Sequence, residues 1–291
     1  MACGMRLGEA NGALEVSRYE ICGNECTMRR FHLFEFNDLE ACPKPFRDSV
    51  VETLGRGLRW SNLGQIIGPP FKAFAERAEC SRVLDLCSGT AEPVSTLLSW
   101  LKKDAGEGEV PHFLVSDLFP NVVCFREAAK QLPGQVSPVE VPVDALGVDS
   151  GLDHDSRTII NAFHHFPPEL ARGILADTVK QRKSIFIYEG FTRNPYGLVP
   201  MGPFLLASLL TNPILAGSHR LIKALFTYLI PLIPLISMWD GLVSTMRVYN
   251  QPELLAMAEP LADDYVWEYR EVPYYMGGKA VVFTGIPRER L

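Results

Sequence analysis

Short apolar runs alternate with amphipathic stretches through the middle of the chain. Residues 83–86, 113–116, 139–143, 158–161 and 185–188 are apolar-rich runs bounded by polar or small residues. Their length suits strands buried on both faces. Between them, apolar positions recur at helical spacing over residues 93–103, 120–131 and 168–181. The third of these opens with Pro167, Pro168 and Glu169, a good first turn because proline there gives up no N–H that the helix would use. Strand–helix alternation with short links predicts a doubly wound, mainly parallel α/β sheet covered on both faces.

The flanks follow other rhythms. Residues 1–27 have weak periodicity and read as a loose tail. Residues 28–80 look helical and aromatic-rich, with Phe31, Phe34 and Phe36 at the front, and predict a small helical cap. At the other end, residues 251–261 read as a helix, and 265–272 and 279–286 as strands joined by a turn at Gly277 and Gly278. The core is therefore expected over 81–190 and 246–291, with 191–245 as an insertion.

That insertion is strongly apolar. No charged residue lies between Asn194 and Ser218 or between Ala224 and Trp239. Such runs approach the length of a membrane span, yet Pro200, Pro203, Pro213, Pro231 and Pro234 interrupt them, and Arg220 and Lys223 lie between. Three roles are open: a helical lid over the site, a peripheral membrane patch over 197–238, or a homodimer interface. The lid is favoured. Lid and membrane patch both imply an apolar or amphipathic acceptor.

Composition narrows the function classes. Hydrophobic residues make up 47% and charged residues 21%, ordinary values for a globular chain. The net charge is −6 and no dense basic cluster occurs, which argues against a nucleic-acid partner. The seven cysteines form no CxxC pairs, so neither a disulfide framework nor a metal site is expected. The first thirty or so residues show no apolar core with a basic start and cleavage site, and the cytoplasm is the expected compartment.

The chemistry starts at the first strand. Asp85, Leu86, Cys87, Ser88, Gly89, Thr90 and Ala91 turn an apolar strand through a small-residue loop into a helix. Small residues let backbone approach a ligand, and a helix start offers free N–H groups. Asp117 closes the next apolar run, where a carboxylate can accept both hydroxyls of a ribose. Together they read as a nucleoside-cofactor site. The G-x-G-x-x-G of nicotinamide enzymes is not satisfied, since Gly89 stands alone between Cys87 and Glu92.

Here the chain resembles the class I S-adenosylmethionine-dependent methyltransferases of the small-molecule type. Residues 85–90 match their first motif, although Cys87 and Ala91 replace glycines of the usual pattern. The resemblance implies a seven-stranded Rossmann-like sheet with an antiparallel C-terminal strand. It also implies S-adenosylmethionine as cofactor, with Asp85, Cys87, Ser88, Gly89 and Thr90 shaping the pocket. Asp117 and Leu118 would lie at the ribose, Asp144 and Ala145 at the adenine, and Asn161 beside the methionine arm. Asn161, His164, His165 and Pro167 resemble the motif that follows the family's fourth strand.

The acceptor side is read from the residues themselves. His164 and His165 sit past a strand end at the ligand-binding edge, where a histidine can act as a base or orient the acceptor. The alternative is that one caps the following helix and the other packs on the sheet. Glu189, closing the fifth strand, reads more readily as a strand-end charge than as an acceptor contact. On a helix, Asp240, Ser244 and Arg247 share one face beside very apolar sequence. Asp240, Arg247 and Tyr249 are therefore candidate substrate contacts, against a reading in which Asp240 caps the helix and Arg247 pairs with a core acid.

The expected activity is methyl transfer to a small, lipophilic molecule. Two alternatives stand beside it. One keeps the cofactor but transfers the aminocarboxypropyl arm or closes a ring, releasing methylthioadenosine. The other is a non-catalytic binding or membrane-associated module that retains the fold.

Overall fold

The computed structural model describes residues 29–39, 41–106, 109–194 and 196–291. The expected tail over 1–27 lies outside them. In chain order the elements are α1 (Lys44–Trp60), α2 (Leu63–Arg77), β1 (Arg82–Leu86), α3 (Glu92–Ala105), β2 (His112–Val115) and α4 (Val122–Gln131). Next come β3 (Val136–Pro138), β4 (Ser156–Ile160), α5 (Pro168–Lys180), β5 (Ser184–Glu189) and α6 (Gly202–Leu215). The chain closes with α7 (Arg220–Ala224), α8 (Leu232–Arg247), α9 (Gln251–Ala258), β6 (Tyr265–Pro273) and β7 (Lys279–Pro287).

The strands form one seven-stranded sheet in the order β3-β2-β1-β4-β5-β7-β6. The pairs β1–β2, β1–β4, β2–β3 and β4–β5 are parallel, and β7 runs antiparallel to both β5 and β6. The order reverses at β1, so the crevice beyond the ends of β1 and β4 is the natural ligand edge.

Two apolar layers hold the sheet. One side packs Leu63, Ile67, Phe71, Val94, Leu97 and Phe125 from α2, α3 and α4 against Val83, Phe113 and Phe186. The other packs Ala171, Ile174 and Leu175 of α5 and Leu254 of α9 against Leu84, Ile159, Ile185 and Phe283. Helix α2 lies close on α3 because Gly68 leaves room for the Trp100 ring; a Cβ there would sit 2.2 Å from it. Helix α9 starts in a full capping box, in which Asn250 accepts from the Glu253 N–H and Glu253 accepts from that of Asn250.

Two expected elements differ. Residues 139–143 are not a strand: β3 stops at Pro138, and Val141 is exposed. The segment keeps two tethers, Val139 N to Val115 O and Val143 N to Asp117 O, both 2.9 Å. Pro142 between them has no N–H to continue a ladder. Residues 29–35 are likewise not helical. They run irregularly into one short turn, Phe36–Asp38, while α1 and α2 supply the helical part of the cap. The cause is long-range: side chains of α8 take the backbone groups that a helix would have paired, as described below.

Candidate functional site

The loop between β1 and α3 has an alternating backbone. Cys87, Gly89 and Ala91 all take left-handed conformations, with φ of 59°, 57° and 59°. These are the three positions where the family pattern places glycine. Only Gly89 adopts this geometry freely; each of the others costs about 1–2 kcal/mol. The loop thus has the glycine-type shape even where glycine is absent, and small side chains keep the backbone approachable.

Asp85 anchors this loop from below. Its Oδ2 accepts from the Ser88 hydroxyl and its Oδ1 from that of Thr158, both at 2.6 Å. Burial pushes the Asp85 carboxyl up to about 7, against the opposing pull of those two hydroxyls. Both oxygens are committed, so Asp85 ties β1, loop and β4 together. The Ser88 hydroxyl also accepts the Ser116 N–H at 3.0 Å, linking loop and β2.

Asp117 faces the loop from the end of β2. Its Oδ2 accepts the Gly89 N–H and its Oδ1 the Phe119 N–H, each at 3.0 Å. Burial raises its pKa, with these N–H groups acting in the opposite direction. Leu118 follows, half-buried. The 139–145 segment passes beside Asp117, and there Asp144 accepts the Leu146 N–H at 2.9 Å while Ala145 is buried. Thr90 is half-buried at the mouth of the loop. Asn161, left-handed at φ 53°, fixes the edge next door: its Oδ1 accepts the Gly190 N–H at 2.7 Å, while its Nδ2 is buried without a partner among the described residues.

The histidines follow at once, in a short turn over Phe163–His165. His164 and His165 are buried, with ring centroids 4.3 Å apart. Glu189, at the end of β5, holds His164 twice: Oε1 accepts its backbone N–H at 2.9 Å and Oε2 meets Nδ1 at 2.8 Å. His164 Nε2 is buried and has no hydrogen-bond partner among the described residues. Glu189 is therefore no stray strand-end charge. Its signal in the sequence was an acid closing an otherwise apolar strand, and only the sheet order brings it against His164.

His165 faces a different set. Its Nδ1 lies 3.4 Å from Asp38 Oδ1, 3.7 Å from Glu35 Oε2 and 3.3 Å from Arg247 Nη1. Burial alone would lower its pKa, but Glu35 and Asp38 outweigh this and hold it at about 9. Arg247 Nη1 also donates to Glu35 and Asp38, each at 2.9 Å, and Nε donates to Leu33 O at 2.9 Å.

These contacts make residues 29–39 a strap across the site. Asp240, within α8 rather than at its start, accepts the Phe36 and Asn37 N–H groups at 2.7 and 3.1 Å. The Ser244 hydroxyl donates to Glu35 at 3.0 Å. Arg30 donates to the carbonyls of Arg247, His164 and Phe166 and lies over the Tyr249 ring at 4.1 Å. The Tyr249 hydroxyl donates to Phe166 O at 2.7 Å. Asp240, Ser244 and Arg247 do share one helix face, and it is turned to the strap. Asp240, Arg247 and Tyr249 thus have their polar atoms engaged within the protein. The strap acids are what sequence reasoning missed, because nothing local pairs Glu35 with a residue over two hundred positions away.

One carboxylate oxygen of Glu35 and one ring nitrogen each of His164 and His165 lie within 4.8 Å of one another, the spacing of a metal-ligand set, but the proton held on His165 opposes metal binding. The Arg247 guanidinium already supplies a cation there.

No family model matches the chain, and no curated protein matches it. Solved structures do, at low identity. SibL, an S-adenosylmethionine-dependent methyltransferase, is 14% identical, over 79% of this chain and 56% of its own, with a TM-score of 0.48. An O-methyltransferase family protein from Burkholderia thailandensis is 14% identical over 72% of this chain and 52% of its own, with a TM-score of 0.40. The magnesium protoporphyrin IX methyltransferase of Synechocystis, solved with bound SAH, is 10% identical over 78% of this chain and 82% of its own, TM-score 0.44. The chain spans little more than half the length of the first two. Such distant likeness adds nothing to the sheet order and the reversed β7, which by themselves define the Rossmann-like fold of class I methyltransferases.

Proposed function

We propose that this protein binds S-adenosylmethionine and transfers its methyl group to a nucleophilic atom of a small, lipophilic molecule. The observation that carries this reading is the triple left-handed loop at Cys87, Gly89 and Ala91 facing the Asp117 carboxylate. That loop brings approachable backbone and the start of α3 to the ligand edge of the sheet, with the acid directly beside it, bonded to the Gly89 N–H at 3.0 Å. This suits a ribose beside a sulfonium-bearing chain.

The residues divide the work. Loop residues Ser88, Gly89 and Thr90 line the crevice, Asp117 accepts the ribose hydroxyls, and Asp144 with Ala145 stands beside the base. Asp85 keeps the loop in place from beneath. The cofactor, when bound, supplies an activated methyl group open to in-line displacement.

On the acceptor side, Glu189 accepts from Nδ1 and so holds the proton there. That leaves Nε2 of His164 with a lone pair and no other partner among the described residues. With the cofactor supplying the methyl group, Nε2 would take the proton that an acceptor O–H gives up as its oxygen is methylated. Strap residues 29–39 and their ion pairs keep water from this step.

The lipophilic character of the acceptor is supported by the insertion, whose helices α6 and α8 pack around the cap and strap and carry little polarity. Calorimetry with S-adenosylmethionine and product analysis test the proposal. Methyl transfer leaves S-adenosylhomocysteine, whereas release of methylthioadenosine would mean attack at another carbon.

A further inference from the structure

The outer faces of α6, α7 and α8 form an apolar surface with no counterpart elsewhere among the described residues. On α6, Leu206, Leu210 and Ile214 point outward at four-residue spacing, 56%, 45% and 66% exposed. Helix α7 presents Leu221 at 87%, and the turn of chain after it presents Leu229 at 76%. On α8, Leu235, Met238 and Leu242 continue the stripe, all exposed. Monomeric proteins rarely leave so much contiguous apolar surface to water, and an apolar area of this kind marks a binding face.

Three features select the occupant. The first is charge. From 195 to 239 the chain has no acidic residue, and its charged side chains are Arg220 and Lys223, with His219 beside them. Lys223 is buried against Glu52 at 2.8 Å, so Arg220 is the exposed cation at the corner between α6 and α7, with the exposed His219 imidazole beside it. An apolar segment that carries an exposed arginine and no acid suits an anionic lipid headgroup layer better than a neutral one.

The second feature is depth. No single helix among the described residues is long and apolar enough to cross a membrane; α7 with its following turn and α8 together pass by length and composition but are bent by 79°. The inner face of α8 is occupied by Ile233, Ile236, Val243 and the strap-binding Asp240 and Arg247, all buried in the protein. The helices can therefore enter a bilayer only by their outer faces, as an in-plane, one-leaflet anchor.

The third feature is continuity with the site. An open groove of about 350 Å³ runs between strap and α8, lined by Phe34, Phe36, Leu232, Leu235, Ile236 and Trp239. Leu232 and Leu235 belong to both groove and outer face. Between Phe34 and Phe36 in the strap, Glu35 is buried with its carboxylate 3.7 Å from His165 Nδ1. An apolar chain emerging from a leaflet would meet this groove before water.

We infer that α6–α8 dock this protein on the surface of an anionic lipid bilayer, with Arg220 at headgroup level and the leucine-rich faces in the acyl boundary. This surface does not depend on the cofactor site, and its test requires no turnover. The test is flotation of the full chain with vesicles of phosphatidylcholine, with and without phosphatidylglycerol. Light scattering of the protein alone runs in parallel. Wild type is expected to float with the phosphatidylglycerol vesicles and less with phosphatidylcholine alone. The double variant Leu221→Asp, Leu229→Asp should lose roughly tenfold or more of that binding, and Arg220→Glu should lose the preference for phosphatidylglycerol. Both variants change exposed side chains, so melting temperatures near wild type confirm that they fold. Wild type that stays unbound with both vesicle types overturns the inference. A stable dimer in light scattering that never floats overturns it too, and assigns the face to a second copy of the chain.

Discussion

His164 Nδ1 lies 2.8 Å from Glu189 Oε2, and the other oxygen of that carboxylate accepts the His164 backbone N–H at 2.9 Å. The pair joins the turn after β4 to the end of β5, adjacent strands of the sheet. It holds the imidazole through two contacts with one carboxylate. His164→Ala should therefore lower kcat by about a hundred- to ten-thousandfold. Cofactor affinity, measured by calorimetry, should stay within about twofold. Glu189→Gln keeps one acceptor oxygen and should cost less. Wild-type turnover in His164→Ala would remove the base from the mechanism.

The Arg247–Glu35–Asp38 cluster makes a prediction about stability. The Arg247 and Glu35 side chains are only 3% and 4% exposed. Removing the guanidinium leaves buried acid without its partner, a loss of about 3–5 kcal/mol for such pairs. Arg247→Ala should unfold at markedly lower urea. Arg247→Lys should recover little, because one ammonium cannot reach Leu33 O, Glu35 and Asp38 together. An Arg247→Ala protein as stable as wild type would show that the strap is not held this way.

His165 makes stability depend on pH. Its pKa in the folded protein is about 9, above the ordinary value of about 6.5 in an unfolded chain. The folded state binds the proton more tightly, so the stabilisation is fully present below about pH 6.5 and fades as pH rises through about 9. Asp85, whose carboxyl sits at about 7, contributes its own decline at lower pH, between about 4 and 7. Urea unfolding of wild type and His165→Gln at pH 6.5, 8 and 9.5 separates the two. The gap between the proteins should narrow towards the alkaline end. A gap independent of pH would contradict a protonated His165.

Much of the frame was legible in the chain itself. The runs at 83–86, 113–116, 158–161 and 185–188 each became a parallel strand, and the turn at Gly277 and Gly278 joined the expected hairpin. Strands buried on both faces leave a dense apolar signature, and period and punctuation suffice to find them. The small-residue loop was visible for a similar reason, because backbone geometry restricts which side chains fit. Residues 139–143 misled because apolar content was read without the prolines that stop a ladder.

The strap misled for another reason. Phe31, Phe34 and Phe36 do mark a segment that packs, but its conformation is set by Asp240 and Arg247 from far along the chain. The same holds for Glu189, whose partner is fixed by strand order alone. Contacts between distant positions carry no local pattern, and the acceptor side of this site is built almost wholly from them.

The central claim is that the loop of Cys87, Gly89 and Ala91, with Asp117, holds an adenosyl cofactor. Asp117→Asn retains an oxygen for the Gly89 N–H but loses the charge and second acceptor that ribose hydroxyls need, so the fold should persist while affinity falls. Isothermal titration of wild type and Asp117→Asn with S-adenosylhomocysteine measures this directly. Saturable one-to-one binding by wild type, weakened about tenfold or more in the variant, is the predicted result. No heat with wild type, or equal affinity in the two proteins, would contradict it.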